Sequence, residues 1–300
     1  MPAWFAWSLL ALVSWGFWAI IARVIGEALS PAQSQALCTL GILPVIAVLP
    51  LLGKKGPARN PKKGTMVALA AGVLSCLGNV AYYYALNRGG KVATVVPLTA
   101  MYPLVTILLA LVILHERLNR LQLVGLLLSI IAIYLLNVTA SAGFFNTGLL
   151  YALLPIVFWG ITGFLQKLST DDISGERSTL WFLAAFIPAA VVILATQGLP
   201  ANLAAKTWLW VIGLGFFFAL GNLAILIAFA REGKASIITP LTALYPVVSI
   251  PLAILLLGEK ISTRETIGIF FALGSVAALS WPGSPSQPQT INNLQHEIHH

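Results

Sequence analysis

Few polar side chains interrupt the apolar stretches of this chain, and those that do recur in a pattern suited to holding a small polar ligand. The clearest is Pro97-Leu98-Thr99-Ala100-Met101-Tyr102-Pro103, which returns 143 residues later as Pro240-Leu241-Thr242-Ala243-Leu244-Tyr245-Pro246. Two prolines six apart remove two backbone N–H donors from one helix, so carbonyls of the preceding turn need other partners. Facing a cavity, such carbonyls can bind ammonium groups or water. Thr99 and Tyr102 lie three apart, as do Thr242 and Tyr245, so each pair can point at that cavity. The alternative is a kinked packing helix in which each threonine bonds back to its own turn.

Gly78-Asn79 returns as Gly221-Asn222 at the same spacing. Asn79, Tyr82, Tyr83 and Leu86 follow helical spacing, so the amide shares a face with either phenol. An amide and a phenol on one face can hydrogen-bond a polar ligand while walling an apolar one. A buried amide also serves as interhelical glue, worth ~0.6–2 kcal/mol. Trp15, Trp18 and Trp159 fall near the centres of apolar stretches. Membrane tryptophans gather at the interface, so a central one needs a partner for its N–H. A wet cavity supplies one, and so does a neighbouring hydroxyl in a dry packing site.

No enzyme constellation accompanies these residues. The chain has no Cys/His set with zinc spacing, no phosphate-binding glycine loop and no Ser/His/Asp set, so neither catalysis nor a cofactor or metal is expected. Cys38 and Cys76 lie in apolar stretches and suit small core residues. Three of four histidines (His296, His299 and His300) stand in the polar last twenty residues. All nine acids avoid the centres of the apolar stretches. Ion-coupled carriers keep an ionisable group within the membrane, so a facilitator or exchanger is favoured over a pump. A sodium site built of backbone carbonyls would leave no such mark.

The elements that position these residues must be membrane helices. Of 300 residues, 59% are hydrophobic and only 9% charged. A soluble domain carries roughly 25% charge. A bilayer core about 30 Å thick takes about 20 apolar residues per helix. Ten apolar runs satisfy this: 4–23, 32–52, 65–87, 92–114, 121–138, 147–168, 178–197, 207–230, 235–257 and 265–281. The first run lacks the charged start of a secretory signal, so a retained helix is expected there. Lys54, Lys55, Arg59, Lys62 and Lys63 cluster between the second and third runs. The positive-inside rule puts that loop, and hence both termini, in the cytoplasm. That distribution explains the net charge of +8 without nucleic acid. The expected partners are the bilayer and a small-molecule substrate.

The repeat divides the chain into 1–140, 146–281 and a disordered cytoplasmic tail, 282–300. Each unit holds five spans. Five is odd, so the second copy enters from the opposite side and the halves form an inverted repeat, as in secondary transporters. The expected fold is an all-α integral membrane protein with five-plus-five helices around a central cavity. Lys91 and Lys234 precede the two proline-bearing spans. Glu116 and Glu259 follow them and are expected to cap the helices that come next.

These features together resemble the drug/metabolite transporter superfamily, specifically its EamA-type ten-span exporters. The resemblance rests on the repeat, both Pro-Leu-Thr-Ala-x-Tyr-Pro segments, and the Glu-basic-aliphatic steps at His115–Leu118 and Gly258–Ile261. It implies a basket in which spans 1, 3, 4, 6, 8 and 9 surround the cavity while 5 and 10 brace it. The implied substrate-binding residues are Trp15, Trp18, Asn79, Tyr82, Tyr83, Thr99, Tyr102, Trp159, Asn222, Thr242 and Tyr245. The resemblance also implies export of neutral or aromatic amino acids, or similar metabolites, across the inner (plasma) membrane by alternating access. Carriers of amphipathic cations and of sugar phosphates or nucleotide sugars are the rival transporters. The first would call for a central carboxylate, the second for a mid-cavity Lys or Arg, and neither residue is present at depth. A membrane scaffold or sensor is the non-transporting alternative.

Overall fold

The computed structural model describes residues 3–52, 59–88, 90–113, 119–137, 147–231 and 235–279. All regular structure among them is helical. The first repeat holds α1 (Ala3–Ile25), α2 (Pro31–Leu37), α3 (Thr39–Leu52), α4 (Pro61–Asn87), α5 (Val92–Thr99), α6 (Pro103–Ile113) and α7 (Arg120–Asn137). The second holds α8 (Thr147–Asp172), α9 (Gly175–Ala184), α10 (Phe186–Gln197), α11 (Ala205–Ala230), α12 (Ala235–Ala243), α13 (Pro246–Leu257) and α14 (Thr263–Leu279). Six helical stretches are each long and apolar enough to cross a bilayer: Ala3–Ile25, Pro31–Leu51, Pro61–Asn87, Tyr151–Asp172, Gly175–Gln197 and Ala205–Ala230. Shorter apolar helices, Val92–Thr106, Arg120–Leu136 and Leu241–Leu257, fall within or along three of the other expected spans, and α14 along the last. The chain is an all-α integral membrane protein. The tail, Lys54, Lys55, His115, Glu116 and Lys234 lie outside the described residues.

The proline segments break their spans as their chemistry dictates. α5 stops at Thr99 and α6 restarts at Pro103, while α12 stops at Ala243 and α13 restarts at Pro246. Proline tolerates the first turn of a helix because that N–H has no intrahelical partner. Other local signals repeat as well. Ser30 and Ser174, 144 residues apart, both have extended backbone and accept from the amide three residues on, which starts α2 and α9.

The largest packing surfaces join helices of different repeats: α4 on α8, α1 on α11, and α7 on α14. Absent side chains allow the closest approaches. A Cβ on Gly72 would stand 2.2 Å from the Phe182 carbonyl, and one on its repeat mate Gly215 1.8 Å from that of Cys38. Both distances lie far inside van der Waals contact, so glycine is required there for α4 to meet α9 and α11 to meet the α2–α3 junction. The α7–α14 pair is pinned by a 2.7 Å hydrogen bond between the Ser129 and Ser275 hydroxyls. The pair carries no cavity-lining residue. Cys38 and Cys76 are buried thiols, as their surroundings require.

Candidate functional site

A cavity of about 570 Å³, mouth included, lies between α1, α4, α8, α11 and the two proline turns. Seven of its lining residues were expected from sequence: Trp15, Trp18, Asn79, Tyr102, Trp159, Asn222 and Tyr245. No lining residue is charged.

The tryptophans reach the cavity because a glycine faces each of them across the repeat boundary. A Cβ on Gly78 would meet the Trp159 indole nitrogen at 2.5 Å, and one on Gly221 would meet that of Trp15 at 2.4 Å. The Nε1–Cδ1 side of each indole therefore lies against a bare stretch of helix, one residue before an asparagine. Trp159 Nε1 donates to Asn79 Oδ1 at 3.1 Å. Asn222 is engaged differently. Its Nδ2 donates to the Phe218 carbonyl at 2.9 Å, and its Oδ1 accepts from Gln166 Nε2 at 3.0 Å. Asn79 is fully buried and its Nδ2 has no hydrogen-bond partner among the described residues.

Trp18 closes one end of the cavity. Its ring stacks on Tyr82 with centroids 4.8 Å apart, and its Nε1 donates to the Tyr83 hydroxyl at 3.3 Å. Trp159 packs against both Trp18 and Tyr82 at 5.7 and 5.5 Å. Tyr82 and Tyr83 thus sit behind Trp18, as its support, and do not line the cavity. The shared face expected for Asn79 and the phenols divides: the amide turns to the cavity and both rings turn to α1.

Thr99 and Tyr102 part company too. Thr99 Oγ1 donates back to the Val95 or Val96 carbonyl, at 2.9 and 3.1 Å, and lies 3.4 Å from the Tyr245 hydroxyl. Thr242 Oγ1 donates to the Thr239 carbonyl at 3.1 Å. Neither threonine lines the cavity, whereas both proline-turn tyrosines do. The threonines satisfy their own helices near the proline breaks, which is the local alternative their chemistry allows.

Residues passed over at the sequence level complete the wall: Ser75, Thr162, Gly163, Gln166, Phe218, Ile225, Phe229 and Thr239. Gln166 had a visible signal. It is an uncharged polar residue seven positions after Trp159, on the same helical face. Its neighbour Lys167 is exposed and paired with Asp171 on the outer side of α8, so it plays no part in the cavity.

At the end of the bundle where α4 stops, the repeats are tied by a polar clamp. Glu259 accepts from the backbone amides of Val92 and Ala93 at 2.8 and 2.9 Å. Lys91 Nζ bonds Glu265 at 2.8 Å and the Lys260 carbonyl at 3.0 Å. The expectation that Glu259 caps the helix after it is therefore corrected. Ser262 and Glu265 form the capping box of α14. Gly258, in the left-handed region at φ 64°, turns the chain so that Glu259 caps α5 of the other repeat. At the opposite end, Lys63 pairs with Asp172 at 3.1 Å across α4 and α8.

The repeats and the fold have counterparts among known proteins. The model of the EamA-like transporter family matches residues 2–138 and again 146–281. An uncharacterized transporter from Archaeoglobus fulgidus is 23% identical over 276 residues, covering 92% of this chain and 97% of that protein. An uncharacterized protein from Methanocaldococcus jannaschii is 31% identical over 131 residues, covering 44% of this chain and 93% of that protein. A solved crystal structure superposes with a TM-score of 0.64 over 91% of this chain and 96% of its own, at 19% identity, and so shares the fold. Matched in both halves, this chain belongs to the EamA-like transporter family and is a multi-pass membrane protein that transports small molecules.

Proposed function

We propose that this chain exports neutral or aromatic amino acids, or similar zwitterionic metabolites, across the inner (plasma) membrane by alternating access. The observation that carries the reading is the character of the cavity. Its wall is aromatic and uncharged, yet one lining residue holds a buried amide donor, Asn79 Nδ2, with no partner among the described residues. An unpaired buried donor costs about 1–3 kcal/mol, which a ligand oxygen would recover. A zwitterion with an apolar side chain needs such a site: a donor for its carboxylate and aromatic surface for the rest. A phosphorylated sugar would call for Lys or Arg, and an amphipathic cation for a carboxylate. The lining offers neither.

With both termini in the cytoplasm, α4 starts and α8 ends on the cytoplasmic side. The cavity then runs from Trp18 toward the cytoplasm, where an exporter loads. The Glu259 and Lys91 clamp closes the outer side. Opening to the outer side requires the two repeats to separate at that clamp.

Uptake into proteoliposomes of the purified protein, with labelled amino acids and sugar phosphates and no imposed ion gradient, tests the reading. Saturable movement of neutral or aromatic amino acids is expected. Movement of sugar phosphates alone would overturn it.

A further inference from the structure

The orientations of three amides in the cavity follow from chemistry. An indole N–H can only donate and a backbone carbonyl can only accept. Because Trp159 donates to Asn79, the atom it meets is the amide oxygen, and the NH₂ of Asn79 is the group left over. Because Asn222 donates to the Phe218 carbonyl, its oxygen is the atom that meets Gln166. Gln166 must therefore contribute its NH₂ there, which leaves Oε1 as an acceptor on a side chain that lines the cavity. The two repeat-related asparagines thus end in opposite ways. One leaves a donor, and the other orients a neighbour that leaves an acceptor.

Gln166 is the source of this asymmetry. The positions 143 and 144 residues earlier hold Arg23 and Ala22, so the first repeat has no equivalent amide. Trp159, which holds Asn79, and Gln166 lie seven residues apart on α8, about two turns or ~10 Å of helix. The wall beside them is closed by Phe218 and by Thr162, whose hydroxyl is committed to the Ala71 carbonyl at 3.2 Å.

We propose that Gln166 is a specificity-determining residue: with a ligand oxygen held by Asn79, Gln166 Oε1 accepts a hydrogen bond from an N–H or O–H at the ligand's far end. The proposal rests on the amino-acid reading above and sharpens it. The ligands it selects are aromatic amino acids whose ring carries a donor, a phenol or an indole, over those with a plain phenyl ring. A plain ring would displace water from that acceptor and offer it no hydrogen bond in return, which a site built to hydrogen-bond disfavours.

The test compares tyrosine, tryptophan and phenylalanine binding to the full-length chain in nanodiscs. Tyrosine and tryptophan are expected to bind about tenfold more tightly than phenylalanine, the worth of one buried hydrogen bond. Gln166→Met, of similar length but without the acceptor, is expected to remove that preference. It should weaken tyrosine about tenfold and leave phenylalanine within about twofold. Gln166→Leu should repeat the result, and the unliganded melting temperature of each variant reports its folding. Equal affinity of the wild-type chain for tyrosine and phenylalanine would overturn the proposal while leaving the amino-acid reading in place. So would Met and Leu variants that weaken both ligands alike. Failure of all three amino acids to bind would overturn both.

Discussion

At the scale of single residues, the central question is what Asn79 does with its unpaired NH₂. Trp159 holds the amide in place, so a change that keeps the oxygen and removes the donor isolates its role. Asn79→Asp does this. It is expected to lower amino-acid uptake at least about tenfold, because a second acceptor then faces the ligand carboxylate. Initial uptake rates at matched protein amounts check it, and unchanged rates would take the carboxylate away from this site. Trp159→Phe keeps an aromatic ring and removes the N–H that orients the amide. It is expected to cost about 1–2 kcal/mol in ligand affinity, measured by titration. Much of this site was legible residue by residue. The repeat marked Asn79, Asn222, Tyr102 and Tyr245, and depth marked the tryptophans. Thr99 and Thr242 carried the same repeat signal yet bond to their own helices, because duplication preserves a structural hydroxyl as faithfully as one that faces a cavity.

At the scale of elements, close approach between helices depends on particular glycines. Without an aqueous driving force between apolar helices, association relies on close packing and interhelical hydrogen bonds. Gly215→Ala places a methyl 1.8 Å from a backbone oxygen, and Gly72→Ala one at 2.2 Å. Backbone cannot move aside as a flexible side chain can. Each change is expected to destabilise the protein by about 1–3 kcal/mol, seen as a lower melting temperature in detergent. Gly163→Ala is the control. Its new methyl would lie 3.6 Å from the nearest atom, so the melting temperature should hold. The same scale explains the proline spans. Two helices with a turn between them carry Tyr102 and Tyr245 to the cavity, and an unbroken helix would place those rings elsewhere on its surface.

At the scale of the whole molecule, the two repeats meet at a cavity and at a clamp. Glu259 closes the clamp by bonding two amides at a helix N-terminus, where a negative charge is favoured. Glu259→Gln keeps the shape but loses the charge and one acceptor oxygen. It is expected to shift the population toward a state open on that face. Spin labels on Arg88 and Lys260 should report a longer distance in the variant than in the parent protein. An unchanged distance distribution would mean that packing alone holds this face closed. The inverted repeat makes the clamp intelligible, because a glutamate that follows one proline-bearing span reaches the start of the other.

The sequence by itself determined that the chain is a helical membrane protein, that it is duplicated, that its halves are inverted and that its polar residues cluster on a few spans. Composition, periodicity and the parity of five settle these, and all are properties of residues along one chain. Tertiary structure decided which of the repeated polar groups face the cavity and which face a helix. It brought Gln166 into the wall, set Tyr82 and Tyr83 behind Trp18, and carried Glu259 to the other repeat. The physical reason is that a buried hydrogen-bonding group takes whichever partner lies within about 3 Å. The partners here come from helices distant in sequence, so only their packing selects them.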